Sequence, residues 1–267
     1  MDVVKPEFER REIVRTRLSS LLIAASMVAV LAAPVAAITF GTVDVENRYS
    51  NVGGLIFEAD GEFFLGCTGT LIAPTVFLTA AHCVAPGERV LVTFDPSIDP
   101  SSTMLPGTAR PHPDFACCGA SDTFDIAVVL LDAPVSGITP ASLPRLNQLG
   151  QLSSRALKDA TFVTAGYGVV RDDKGGGWKS LRDSEGLRSY VSQTVNSMTK
   201  AWLNLSMNPS TGNGGTCYGD SGGPHFLGAT VVSITVTGDR WCRATDKTYR
   251  VDTAVARDFL DEFVTLP

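Results

Sequence analysis

The 267-residue sequence is 44% apolar and 19% charged, a globular balance long enough for one all-β enzyme or two small fused barrels. Its net charge of −6 excludes the basic surface that nucleic-acid binding requires, and the composition excludes a fibre or a disordered chain.

In chain order, a basic stretch with Lys5, Arg10, Arg11, Arg15 and Arg17 precedes the apolar run Leu21 to Ala33, which ends at Val35-Ala36-Ala37. This reads as a secretory signal over residues 1–37, with Ile38 as the new N-terminus. The competing reading is a membrane anchor over Leu18 to Ala37, against which Ser19, Ser20, Ser26 and Pro34 count. Residues 1–37 carry five basic and four acidic side chains, so their removal leaves 17 basic against 24 acidic, a charge of −7. Six cysteines behind an export signal point to disulfides and an oxidising compartment rather than to metal ligands.

Between Val52 and Val251, short Val/Ile/Thr/Phe/Leu runs alternate with Gly, Pro, Asn and Asp clusters, the rhythm of a sandwich or barrel. Strands are predicted over Cys67–Ile72, Val76–Thr79, Arg89–Phe94, Ile126–Leu131, Thr161–Ala165, Leu187–Val195, Ala201–Ser206 and Ala229–Val236. Pro134, Gly137, Pro140, Pro144 and Gly150 mark a junction between two halves. Arg171 to Glu185, with Gly175-Gly176-Gly177, reads as an exposed loop. Val255, Phe259, Leu260 and Phe263 line one face of a C-terminal helix that Asp252 or Thr253 can cap.

Three segments carry chemistry. In Gly219-Asp220-Ser221-Gly222-Gly223-Pro224, glycines permit a tight turn whose amides can face a substrate oxygen. A serine needs a base, and there are only three histidines. His82, in Thr79-Ala80-Ala81-His82-Cys83, ends an apolar strand; His112 lies between two prolines; His225 is too close to Ser221 in sequence to fold back onto it. Asp125, with Asp122 as its rival, opens the run Ile126 to Leu131, and a carboxylate at the mouth of a buried strand needs a partner.

These three blocks, in this order and at these separations, resemble the signatures of the chymotrypsin/trypsin family of serine proteases, and the resemblance spans Ile38 to the C-terminal helix. It implies an all-β fold of two six-stranded antiparallel barrels (about 38–140 and 150–251) with the active site between them and a C-terminal helix over about 253–265. It implies a catalytic triad of His82, Asp125 and Ser221, an oxyanion hole from the amides of Gly219 and Ser221, and no metal or other cofactor. Cys67 with Cys83 and Cys217 with Cys242 match the family's disulfides; Cys117 and Cys118 have no counterpart. Ile38 resembles the N-terminus whose ammonium pairs with the aspartate before the serine, here Asp220. Gly215 stands where members that cut after Arg or Lys carry aspartate, and Thr235, two after Ser233, and Thr248 stand where wide pockets carry glycine. The substrate pocket (Gly215, Ser233, Thr235, Thr248) is therefore expected to favour small or medium apolar side chains. The expected partners are a secreted enzyme's polypeptide substrate and a protein inhibitor, with no nucleic acid, and a membrane only if the signal segment is retained. The alternatives are a catalytically silent binding protein on the same fold, a membrane-tethered adhesion protein, and a serine esterase, whose Gly-x-Ser-x-Gly string Gly219 to Gly223 matches. The apolar strand expected after Pro224, in place of a helix, disfavours the esterase.

Overall fold

A computed structural model describes residues 38–59, 61–116, 123–171, 181–182 and 186–267. The signal segment, Cys117, Cys118, Asp122 and most of the loop after Arg171 lie outside the described residues. After a short β1 (Thr42–Val43), six strands follow: β2 (Val52–Ala59), β3 (Glu62–Ala73), β4 (Val76–Thr79), β5 (Arg89–Thr93), β6 (Leu105–Pro111) and β7 (Ala127–Leu131). They close into an antiparallel barrel in the order β2-β3-β4-β7-β6-β5. The alternation of β4 shows why a wholly apolar run suits a central strand: Phe77 points into the barrel with Leu55, Leu71 and Val129. Val76 and Leu78 point to the opposite face, where they meet residues of the second half such as Ala165, Tyr167 and Ile234.

No strand lies between Leu131 and Phe162; that stretch holds the short helix α1 (Ser154–Asp159), whose first turn is capped by Ser153 Oγ accepting from the Ala156 amide at 3.1 Å. The second half contains β8 (Phe162–Gly166), β9 (Val170–Arg171), β10 (Leu181–Arg182), β11 (Ser189–Gln193), β12 (Val195–Met198), β13 (Trp202–Ser206), β14 (Pro224–Leu227), β15 (Thr230–Gly238) and β16 (Thr245–Arg250). All but the β9–β10 hairpin join β1 in one sheet, ordered β1-β11-β8-β14-β15-β16-β13-β12. The expected second six-stranded barrel is thus a curled eight-stranded sheet, because the N-terminal β1 pairs with β11 and the run predicted as one strand over Leu187–Val195 splits at Thr194 into β11 and β12. Leu149, Phe162, Leu203, Leu205 and Val232 fill its interior. Helix α2 (Ala254–Leu260) is shorter than the predicted 253–265 and is capped by Thr253 Oγ1, which accepts from the Ala256 amide at 3.2 Å.

Arg188 bolts the two halves together. Its guanidinium is fully buried and donates to Asp44 Oδ2 (3.0 Å), the carbonyls of Val52 and Phe94 (3.0 Å each), Tyr167 Oη (3.1 Å) and Asn47 Oδ1. Val52 and Phe94 belong to the first barrel, while Arg188 leads into β11 of the second sheet.

Candidate active site

β4 ends at Thr79 and runs into a single 3₁₀ turn, Ala81–Cys83, that carries His82. Cys83 is bonded to Cys67 on β3, which ties this turn to the barrel wall. Asp125, 2% exposed, stands just before β7, the strand paired with β4, so strand pairing alone brings the carboxylate to the histidine. Asp125 Oδ2 lies 2.8 Å from His82 Nδ1, and Oδ1 accepts the His82 backbone amide at 2.9 Å. A carboxylate on Nδ1 fixes the imidazole tautomer that leaves Nε2 free to accept a proton, and it stabilises the imidazolium formed when it does.

Ser221 comes from the second half, on the turn before β14. It lines the same cavity of about 350 Å³ as His82. β3 passes under this turn: the Thr68 amide donates to the Ser221 carbonyl at 2.9 Å and Thr68 Oγ1 to the Gly219 carbonyl at 2.9 Å. Two glycines are required for the turn's shape. Gly219 adopts φ 98° and Gly222 φ 79°, and a Cβ on Gly222 would meet Thr79 Oγ1 at 2.1 Å. Among the described residues, neither the Gly219 nor the Ser221 amide donates to a protein acceptor, a condition that an oxyanion hole would meet.

Asp220 faces inward from the same turn. Its carboxylate is fully buried, accepts from the amides of Gly168 and Cys217 at 2.8 Å each, and has no cationic partner among the described residues. Burial pushes it up to about 8, against the lowering pull of those amides. Ile38 is also fully buried, and the next residue, Thr39, exchanges two backbone hydrogen bonds with Gly215 (3.1 and 3.0 Å), five residues before Asp220.

The pocket walls differ from the expected ones. The cavity beside Ser221 is lined by Thr216, Tyr218, Thr235, Val236, Thr237 and the Cys217–Cys242 disulfide, among others. Ser233 and Thr248 do not line it: both are buried in the second sheet, with Thr248 Oγ1 2.8 Å from Ser233 Oγ and from the Leu203 carbonyl. The reason is position along the strand: Thr235, not Ser233, exchanges backbone hydrogen bonds with Gly222 and Gly223, and Thr248, although paired with Thr235, turns its hydroxyl to Ser233. Gly215 lies outside the lining too, backed by Met207 and Gln193, whose Cγ and Nε2 a Cβ would meet at 2.2 and 2.9 Å.

Counting from the motifs missed Asp239, which also lines the cavity. Its Oδ1 accepts the amides of Arg243, Ala244 and Thr245, and Oδ2 that of Trp241, at 2.6 to 3.2 Å. Partial burial acts to raise this carboxyl, but the amides outweigh it and hold it below the usual carboxylate range. Asp239 therefore organises the loop that carries Cys242. Asp239→Ala is expected to raise KM about tenfold or more with a smaller change in kcat, because the loop it pins forms one wall of the pocket and the Ser221 turn stays tied by Thr68. Steady-state kinetics on a small ester will check this; an unchanged KM would show that the disulfide alone shapes the wall.

The other two histidines are structural. His225 is buried, with Nε2 3.0 Å from Thr235 Oγ1, and burial lowers its pKa. His112 packs between Phe124 and Phe259. Cys67, His82 and Cys83 bring three donor atoms together, but the two sulfurs are joined in the disulfide and offer no thiolate to a metal. Among the described residues no helix is long and apolar enough to cross a membrane.

A model of the trypsin family matches residues 45–261. The chain is 27% identical over 199 residues to a trypsin of Saccharopolyspora erythraea, covering 69% of this chain and 79% of that one. It is 29% identical over 212 residues to a vitellin-degrading protease of Bombyx mori, covering 74% and 76%. Its fold is similar to that of a solved collagenase, with a TM-score of 0.66 at 18% identity, covering 86% of this chain and all of the collagenase.

Proposed function

Because the chain belongs to the trypsin family of serine proteases, we propose that it is a secreted endopeptidase in which Ser221 attacks the carbonyl carbon of a peptide bond. The observation that carries this reading is the buried Asp125 carboxylate holding His82 by two hydrogen bonds in the cavity that Ser221 lines. In this mechanism His82 Nε2 takes the proton of Ser221 Oγ as the new C–O bond forms, and the carbonyl oxygen turns toward the amides of Gly219 and Ser221. His82 then gives that proton to the amine nitrogen as the C–N bond breaks. Water, deprotonated by His82, releases the acid and restores the Ser221 hydroxyl.

For the acyl-side residue, the proposal is a small or medium apolar side chain. The walls offer three threonines, Val236 and a disulfide. The one carboxylate among the cavity's lining residues, Asp239, is already occupied by four backbone amides and makes a poor partner for Lys or Arg. A cavity of about 350 Å³ beside Ser221 weighs against the silent binding protein.

Secretion, with residues 1–37 removed as a signal, is proposed on the leader's pattern and supported by the two disulfides. A chain starting at Ile38 would place a free ammonium next to the Thr39–Gly215 pairing, and its pairing with the buried Asp220 is proposed on the family resemblance. The mature chain would then comprise a closed barrel within about 38–140, the curled sheet mostly within about 150–251, and the terminal helix.

The test is intact mass before and after a serine-directed fluorophosphonate, with the modified residue mapped. One adduct on Ser221 is expected; folded protein that takes up none would sink the proposal.

The Ile38 proposal has its own signature. In a chain where Ile38 remains in peptide linkage, Asp220 titrates near 8 when folded and at about 3.9 unfolded. The folded state then binds the extra proton, so stability present at low pH is lost as pH rises through that window to about 8. An ammonium at Ile38 favours the carboxylate and removes this loss. Thermal unfolding from pH 5 to 8 should therefore show a falling Tm for a chain extended before Ile38 and a flatter one for a chain beginning there, with the difference abolished in Asp220→Asn.

A further inference from the structure

Two more cavities continue from the candidate active site along β3. One, of about 620 Å³, is edged by Tyr218 and Gly219 and walled by Phe63, Phe64, Leu65 and Ile98. The next, of about 320 Å³, shares those four walls and adds Ile56 and Met104. Phe63, Phe64 and Tyr218 are 54%, 50% and 48% exposed, so three aromatic side chains stand around one concavity with half their surface in water. A soluble protein exposes such a patch where something apolar is bound. The shelf is also preformed, since the Phe64 ring stacks on Phe57 at 5.7 Å and 23°.

Position assigns the occupant. The acyl-side residue belongs in the cavity lined by Ser221 and His82. Tyr218 lines both that cavity and the 620 Å³ one, which adds Gly219, so a peptide crossing Ser221 can send its leaving-amine side into the larger cavity. β3 links the two regions: Thr68 bonds to the Ser221 turn, and Phe64 lies four residues earlier, about 13 Å along the strand. That distance is the reach of the first few residues of an extended peptide. Resting on the protease reading above, we propose that the enzyme selects substrates with large apolar or aromatic residues on the leaving-amine side, held on the shelf of Phe63, Phe64, Leu65 and Ile98. Glu62 and Asp99 border the outer cavity and disfavour acidic residues there.

The test separates the two readings. A small acyl methyl ester, with only a methyl group beyond the scissile oxygen, releases methanol on acylation and reports the catalytic machinery alone. With that ester as donor, Phe-Leu-amide, Ala-Ala-amide and Asp-Asp-amide then compete with water for the acyl-enzyme. The acceptor's amine attacks the acyl carbonyl, its proton passes to His82, and Ser221 Oγ departs and takes that proton back. Phe-Leu-amide is expected to capture the acyl group about tenfold or more better than Ala-Ala-amide, the range that burial of large apolar side chains supports, with Asp-Asp-amide poorest. The double variant Phe63→Ser/Phe64→Ser should bring the Phe-Leu to Ala-Ala ratio below about twofold with ester hydrolysis unchanged, and Phe64→Leu should retain most of the preference. Ester turnover with equal capture of all three amides overturns the shelf and leaves the protease standing. An unaltered ratio in the double variant also overturns it. No ester turnover by the wild-type protein overturns the protease reading and the shelf together.

Discussion

Asp125→Asn is expected to lower kcat by about 10⁴-fold while leaving the fold intact. The amide's carbonyl can still accept the His82 backbone N–H that Asp125 Oδ1 accepts at 2.9 Å, so the turn keeps its anchor. Facing Nδ1, however, the amide presents N–H rather than a lone pair. The imidazole then shifts its proton to Nε2, the atom that must receive the proton of Ser221. Ser221→Ala should cost at least as much, and combining the two should cost little more, because residues that act as one unit do not contribute additively. Ester kinetics with circular dichroism as a fold control will check this. A near-normal kcat in folded Asp125→Asn would remove the carboxylate from the mechanism.

Arg188→Met is expected to cost about 3–5 kcal/mol of stability, read from the denaturant midpoint at unchanged slope. The loss exceeds that of a surface ion pair because both partners are fully buried and the substitution leaves Asp44 charged in the interior. Asp44 keeps the amides of Arg48 (2.8 Å) and Tyr49 (3.0 Å), which soften the penalty without neutralising the charge. The carbonyls of Val52 and Phe94 on the first barrel and Tyr167 Oη on the second half lose a donor as well, so both sides of the seam are affected. Asp44→Asn combined with Arg188→Met should recover part of the loss, and the recovered part measures the stranded charge. A cost below about 1 kcal/mol would mean that apolar packing alone joins the halves.

Much of this was legible in the sequence, because the elements that carry the chemistry also follow simple patterns. β4 matches its predicted bounds, Val76–Thr79, since an unbroken apolar run between a Pro-Thr turn and the histidine leaves no other reading. β2 was harder: Gly53-Gly54 looks like punctuation, yet Gly53 is there because Thr93 O lies 2.6 Å from where a Cβ would stand. β6 was missed because Pro106 and Pro111 argue against a strand, and it accommodates them near its ends. Ser233 and Thr248 were misplaced because counting from a motif does not say where along paired strands the cavity ends; both lie in the regular part of the β15–β16 ladder and bond to each other. Nor could local pattern reveal that Arg188, Asp44 and Asp239 among so many charges would turn inward, since their partners are assembled only by the complete chain.

The backbone pairing of Thr39 with Gly215 also bears on timing. A ribosome delivers the N-terminal segment long before the strand-rich second half, so Thr39 has no Gly215 to pair with until most of the chain has emerged. The Ser221 turn, in turn, rests on β3 from the first barrel, and its cavity wall waits for Cys242. A nascent chain therefore passes through most of its synthesis with no completed site. On the protease reading proposed above, hydrolytic capability arises only with the complete chain.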